Sequence, residues 1–148
     1  MKTIIIGSDH AGYEYKAALI QALQEKHYQV IDVGTYTPAS CDYPDYAHKV
    51  AEMVNNNQNT LGILLCGTGN GVAITANKHI NIRAAVCWKK EIAALAKQHN
   101  NANILCLPAR FISESEALEI TEIFLTSTFE GERHQRRVEK INTQLKIN

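Results

Sequence analysis

Short apolar runs alternate with helix-period stretches from one end of this chain to the other, and that alternation admits few folds. Candidate strands fall at residues 2–6, 29–33, 61–66, 83–87 and 103–107. Between the first two, Tyr15, Ala18, Leu19, Ala22 and Leu23 recur at helical spacing, and between the next two Ala47, Val50, Ala51 and Val54 do the same. Residues 71–79 and 89–98 supply two more helices, and Ser113 with Glu116 makes a capping-box pattern that opens a fifth running to about Ser127. A last helix carries Val138, Ile141 and Leu145 as a narrow apolar stripe among charges, suited to packing on another subunit or to lying on the surface. The Asn55-Asn56-Asn57 tract reads as a helix end. Strands that alternate with helices of this length form βα units around a parallel sheet. The expectation is therefore an α/β chain, one doubly wound domain over residues 1–148, with a five-stranded parallel sheet, flanking helices and a C-terminal helix.

With 45% hydrophobic and 20% charged residues the chain can bury such a core and is not disordered. Fifteen Lys plus Arg balance fifteen Asp plus Glu, so no global field favours nucleic acid or an anionic membrane, and neither is expected as a partner. Apolar runs fall far short of the roughly 18 residues of a membrane span, and Met1 leads almost directly into Ile4-Ile5-Ile6 without a signal-peptide layout. A cytoplasmic protein is expected, with Cys41, Cys66, Cys87 and Cys106 as free thiols and no zinc-type spacing among them.

In a doubly wound sheet ligands bind outside the carboxyl ends of the strands, where the chain changes faces. The informative residues do follow strands: residues 7–12, with Asp9 and His10, after the first; 34–44 after the second; 66–71 after the third; and Pro108-Ala109-Arg110 after the fifth. Gly67, Gly69 and Gly71 alternate between a strand and a helix, so backbone N–H groups can turn toward one point that attracts negative charge; taken alone the pattern is equally a tight turn. It is no dinucleotide fingerprint, because Val72 stands where a third glycine belongs. Cys66 sits at the lip of this loop, an environment that favours thiolate over thiol and suits a base or nucleophile, whereas Cys87 and Cys106 lie within apolar strands as small buried hydrophobes. Thr68 is either a turn residue or a hydroxyl for substrate. Arg133 and Arg137, four apart with His134 beside them, suit a phosphate dianion, although such a run on a terminal helix is more often solvated. His48 with Asp45 or Glu52 is a poor metal pair lacking a third ligand.

Taken in order, G-S-D-H-A-G at 7–12, D-Y-P-D-Y-A at 42–47, C-G-T-G-N-G at 66–71, R-A-A-V-C at 83–87, H-N at 99–100 and G-E-R-H-Q-R-R-V at 131–138 resemble ribose-5-phosphate isomerase type B. The wider family also holds allose-6-phosphate and galactose-6-phosphate isomerases. The resemblance covers nearly the whole chain and implies a Rossmann-like domain, a homodimer or a tetramer built from it, and aldose-ketose interconversion without metal or cofactor. It makes Cys66 the base that moves a proton between C1 and C2, and His99 the group that opens the furanose ring. The amides of Gly67, Thr68, Gly69, Asn70 and Gly71 become the hole for the enediolate, with Thr68 near the base. Asp9, His10 and Asn100 contact substrate; Arg110, Arg133 and Arg137 hold the phosphate, with His134 close by. Some members use a Glu farther along the loop helix as base; Ala73-Ile74-Thr75 offers no acid, which marks the cysteine type.

Chain order adds a geometric expectation. His99 and Asn100 end a helix and precede the fifth strand, so they lie at the amino edge of the sheet while Cys66 lies at the carboxyl edge. A site using both draws them from two copies of the chain. The reading is thus a sugar-phosphate isomerase acting on ribose 5-phosphate and ribulose 5-phosphate. The alternatives are an isomerase of a six-carbon sugar 6-phosphate and, from another class, a non-catalytic phosphate- or nucleotide-binding module.

Overall fold

The structure, a computed structural model, describes residues 2–143. The elements run β1 (Thr3–Ser8), α1 (Tyr13–Glu25), β2 (Gln29–Asp32), α2 (Tyr43–Asn55), β3 (Thr60–Cys66), α3 (Asn70–Ala76), β4 (Ala84–Val86), α4 (Lys90–Asn100), β5 (Ile104–Pro108), α5 (Glu114–Thr126) and α6 (Arg133–Lys140), with a 3₁₀ turn at His10–Gly12. The five strands form one sheet in the order β2-β1-β3-β5-β4, every pairing parallel. The α/β fold class expected from the sequence is the one observed.

Because both faces of this sheet are covered, its strands are apolar at consecutive positions and the period of two shows only in which helices each residue meets. Ile4, Ile6, Ile63, Leu65, Leu105 and Leu107 point toward α1, α4 and α5, where Leu19, Ala93, Ile120 and Phe124 complete one core layer. Ile5, Leu64, Cys66, Ile104 and Cys106 point the other way, toward Ala47 and Val50 of α2 and Val72 and Ala73 of α3. Face and direction change together. The steps from β1 to β2 and from β4 to β5 carry α1 and α4 on the first face, and the opposite steps from β2 to β3 and β3 to β4 carry α2 and α3 on the second, as crossovers of one hand require. The reversal falls between β1 and β3, which puts the switch point, where ligands of such sheets bind, at the carboxyl edge beside these two strands.

Boundaries differ from the sequence reading for local reasons. β1 extends through Gly7 and Ser8, which carry no apolar signal but pair with Leu64 and Leu65. Helix α3 stops at Ala76, while α4 runs on to Asn100, where Asn101 adopts a left-handed cap at φ 47°. The capping box of Ser113 and Glu116 is present at the start of α5. On α6, Val138 is half-buried and Ile141, just past the helix, is exposed; Leu145 lies outside the described residues. Among the described residues no helix is long and apolar enough to cross a membrane.

Candidate active site

The loop leaving β1 is fastened to the end of β3. The Asp9 amide donates to the Leu65 carbonyl at 3.2 Å, and Asp9 Oδ1 accepts from the amides of Ala11 at 2.9 Å and Gly12 at 3.2 Å. This carboxylate therefore caps the 3₁₀ turn that presents His10, a structural duty beside any contact with substrate. His10 Nδ1 accepts from the Cys41 amide at 3.3 Å, so the neutral ring carries its proton on Nε2.

Cys66 ends β3, and its Sγ accepts the Gly69 N–H at 3.2 Å. That bond requires the chain to double back within three residues, which Gly69 allows by adopting φ 73°. Thr68 Oγ1 in turn accepts the Asn70 amide at 3.2 Å. Two of the five loop amides that the sequence reading groups into one anion hole are thus already engaged, one by Cys66. Gly71 backs onto an aromatic ring: a Cβ there would lie 2.4 Å from Tyr43 Cε1. Tyr43, part of the D-Y-P-D-Y-A motif but given no role from sequence, forms one wall of the loop. Arg110 forms another, its amide donating to the Gly67 carbonyl at 3.0 Å while its guanidinium lies over Gly67. Cys87 and Cys106 are buried as expected, and burial pushes the Cys87 thiol up to about 12 and the Cys106 thiol well above the ordinary thiol range.

A second constellation forms at the end of α4. The His99 ring stacks on that of His134 with centroids 4.1 Å apart, and Glu130 Oε1 lies 3.6 Å from His99 Nε2 and 3.5 Å from His134 Nε2. Asn100 is the last residue of α4; Arg133 opens α6 and Arg137 follows one turn later. Burial, then the charges of His99 and Arg133, lower the pKa of His134, with Glu130 opposing. The Arg83 side chain donates from Nε to the Asn101 carbonyl at 2.9 Å, and its backbone amide donates to Asn103 Oδ1 at 2.8 Å. Arg83 clamps the turn that follows His99 and Asn100, a duty that its place in the R-A-A-V-C motif did not disclose. Glu130 was legible only as a flanking acid, because 31 residues separate it from His99.

Within one chain, then, Asp9, His10, Cys66, residues 67–71 and Arg110 gather at the carboxyl edge, and His99, Asn100, Arg133, His134 and Arg137 gather at the end of α4. The sequence reading placed Arg110 with Arg133 and Arg137 in one phosphate clamp; a single chain does not bring these three together, because Arg110 follows β5 whereas α6 packs beside the opposite end of α4. His48, considered as half of a metal pair with Asp45 or Glu52, instead has its Nδ1 2.8 Å from His79 Nε2.

Residues 4–141 match the Ribose/Galactose Isomerase family. A protein of Mycoplasma genitalium described as a probable ribose-5-phosphate isomerase B is 48% identical over 140 residues, covering 93% of this chain and 92% of its own. Ribose-5-phosphate isomerase B of Escherichia coli is 43% identical over 141 residues, covering 95% of each. The crystal structure of the ribose-5-phosphate isomerase B of Mycoplasma genitalium with bound ribulose-5-phosphate superposes with a TM-score of 0.95 at 46% identity, covering 99% of this chain and 97% of that one. A family match over residues 4–141 and relatives of 43–48% identity along nearly the full length leave one assignment: this chain belongs to the ribose/galactose isomerase family.

Proposed function

We propose that this chain is a ribose-5-phosphate isomerase that interconverts ribose 5-phosphate and ribulose 5-phosphate by proton transfer through an enediolate. The observation that carries the reading is the Cys66 sulfur held by the Gly69 amide at the switch point of the sheet, in a chain whose relatives bear this activity in their names. Cys66 removes the proton from C2, the electron pair forms a C1–C2 double bond and displaces the carbonyl pair onto O1, the hydroxyl proton passes from O2 to O1, and the same sulfur returns its proton to C1, leaving the carbonyl at C2. The oxyanion that develops is met by the remaining loop amides and by Thr68, whose hydroxyl accepts from Asn70 and so keeps its own hydrogen to donate. One such donor is worth about 2.7–4 kcal/mol of barrier in other enzymes, comparable to the ~10²- to 10⁴-fold supplied by a positioned base. Hydrogen moves as a proton and the carbon skeleton stays intact, so the step calls for neither cofactor nor metal. No carboxylate stands at Ala73, Ile74 or Thr75 to replace the thiol.

His99 opens the ring and Asn100 hydrogen-bonds the sugar, while Arg133 and Arg137, with His134, hold the phosphate; all five come from a second copy, so the working unit is a homodimer. Asp9, His10 and Arg110 come from the same chain as Cys66. Trp88, Phe111 and Ile74, which are 49%, 74% and 63% exposed, lie on or near the carboxyl edge and suit coverage by that second copy. Residues 1–148 act as one isomerase domain. The four cysteines are unpaired, which suits a reducing cytoplasm. Following ketose formation from ribose 5-phosphate, allose 6-phosphate and galactose 6-phosphate in parallel tests the substrate. The five-carbon sugar should give the highest kcat/KM; a higher value for either six-carbon substrate would refute the assignment.

A further inference from the structure

The cluster at the end of α4 has a property that sugar isomerisation does not use. One ring nitrogen each of His99 and His134 and a Glu130 carboxylate oxygen all lie within 4.8 Å of one another. Two of the three separations, 3.6 Å and 3.5 Å, are close to the edge of a coordination tetrahedron; with metal–ligand bonds of about 2.0–2.2 Å that edge is about 3.4 Å. His134 is buried, and its Nε2 has no hydrogen-bond partner although it faces this gap. A buried nitrogen left without a partner calls for an explanation, and a ligand in the gap supplies one.

We infer that His99, Glu130 and His134 form a binding site for one divalent transition-metal ion of the zinc class. Two imidazoles and one carboxylate suit zinc, cobalt or nickel and are a poor set for magnesium or calcium, which prefer all-oxygen shells. Three protein ligands leave a fourth position open, on the side where His99 and Glu130 are partly exposed. The two rings stack within 11° of parallel, so their lone pairs converge only when one ring turns out of the stack. His99 is the ring free to turn, since its side chain is 38% exposed against 7% for His134. Neutral imidazoles and one carboxylate leave a bound dication with one surplus positive charge beside Arg133 and Arg137, so the open position takes an anion such as hydroxide or phosphate. The ion would occupy the His99 nitrogen needed for proton exchange and would therefore inhibit the isomerase; this consequence, unlike the binding, rests on the ring-opening role given to His99 above.

The test is titration of the full-length, metal-stripped protein with Co²⁺, read by the visible absorption of the tetrahedral ion, followed by displacement with Zn²⁺. Wild type and Cys66→Ala should each bind one ion per chain, whereas Glu130→Gln and His134→Gln should bind it weaker by roughly tenfold or more. Glu130 is half-exposed, so its variant keeps the test open even if the buried His134 variant fails to fold. Binding that is unchanged in Glu130→Gln would place the ion elsewhere, as on His48 and His79, and overturn the inference; so would binding abolished by Cys66→Ala. Zinc should inhibit wild-type turnover over the concentrations at which it binds. Binding in the expected pattern without inhibition would uphold the metal site and count instead against the role of His99 in the reaction.

Discussion

Two variants that are each inactive should restore one another. In the parallel pairing Cys66 stands opposite Pro108 and Gly62 opposite Ile104, so the start of β5 lies four residues below the level of Cys66. At about 3.3 Å per residue that is about 13 Å along the strands, and His99 lies a further five residues back along the chain. Proton transfer needs reach of about 2.6–3.2 Å, and in the proposed reaction the atoms served by Cys66 and His99 belong to one end of one sugar. A single chain cannot bring both groups to it. When Cys66→Ala and His99→Ala subunits exchange, each mixed dimer holds one site with both lesions and one with neither. Equal mixing makes roughly half the dimers mixed, each with one good site of two, so the mixture should approach roughly a quarter of wild-type activity and the isolated mixed dimer roughly half. The assay is co-refolding of differently tagged variants, isolation of the doubly tagged species, and measurement of ribulose 5-phosphate formation against either parent. If the verified mixed dimer is no more active than the sum of its parents, the shared site is wrong.

Other substitutions probe separate parts. Arg137→Ala should raise KM sharply with less effect on kcat, because a phosphate contact acts in ground and transition states alike, while Arg136→Ala, about 100° around the helix, should change little; equal damage from both would show that the cluster acts through general charge. Gly12→Ala would place a Cβ 2.5 Å from Leu65 Cβ and against the β3 backbone, so denaturant unfolding should show a loss of about 1–3 kcal/mol or more, and a loss under about 0.5 kcal/mol would mean the 3₁₀ turn yields easily. Burial, then the positive charges of Lys2 and Arg83, bring the Lys97 ammonium from the ordinary 10.5 down to about 8. The folded state then binds fewer protons, so stability rises as pH climbs from about 8 toward the unfolded value and is lost as pH falls through 8, a swing on the order of 3 kcal/mol that Lys97→Met should abolish; parallel stability curves for the two proteins would refute it.

What could be read from the sequence was whatever depends on neighbours along the chain. The run Leu61 to Cys66 followed by alternating glycines announces a buried strand and a sharp turn, and the turn is there. Ser8 gave no strand signal because its membership depends on Leu65, far off in sequence. Asp9 read as a site acid, yet its Oδ1 already caps a turn too short to leave a periodic trace. The family resemblance grouped Arg110 with Arg133 and Arg137, and a resemblance of motifs does not record the sheet edge on which each stands. The trio of His99, Glu130 and His134 was invisible for the same reason: the contact is made by α6 returning to the end of α4, which local spacing does not encode.

That return also explains why the two halves of the chemistry sit so far apart. The carboxyl edge of a doubly wound sheet is where loops diverge and a base can be held rigidly, as Cys66 is by Gly69 and Asp9 is by its turn. The same winding sends α4 back to the amino edge before β5 begins, so a group at its end cannot serve the crevice of its own chain. Arg83, tied to Asn101 and Asn103, fixes the direction in which His99 and Asn100 leave the helix, and Glu130, bonded through its amide to the Gln98 carbonyl, brings α6 with its arginines to the same place. The backbone that carries the second cluster is therefore anchored on both sides, with His99 and Glu130 partly exposed and His134 buried. If these groups bind substrate as proposed, a second copy must place its own Cys66 loop against them, so in this reading association completes the catalytic site as well as covering apolar surface.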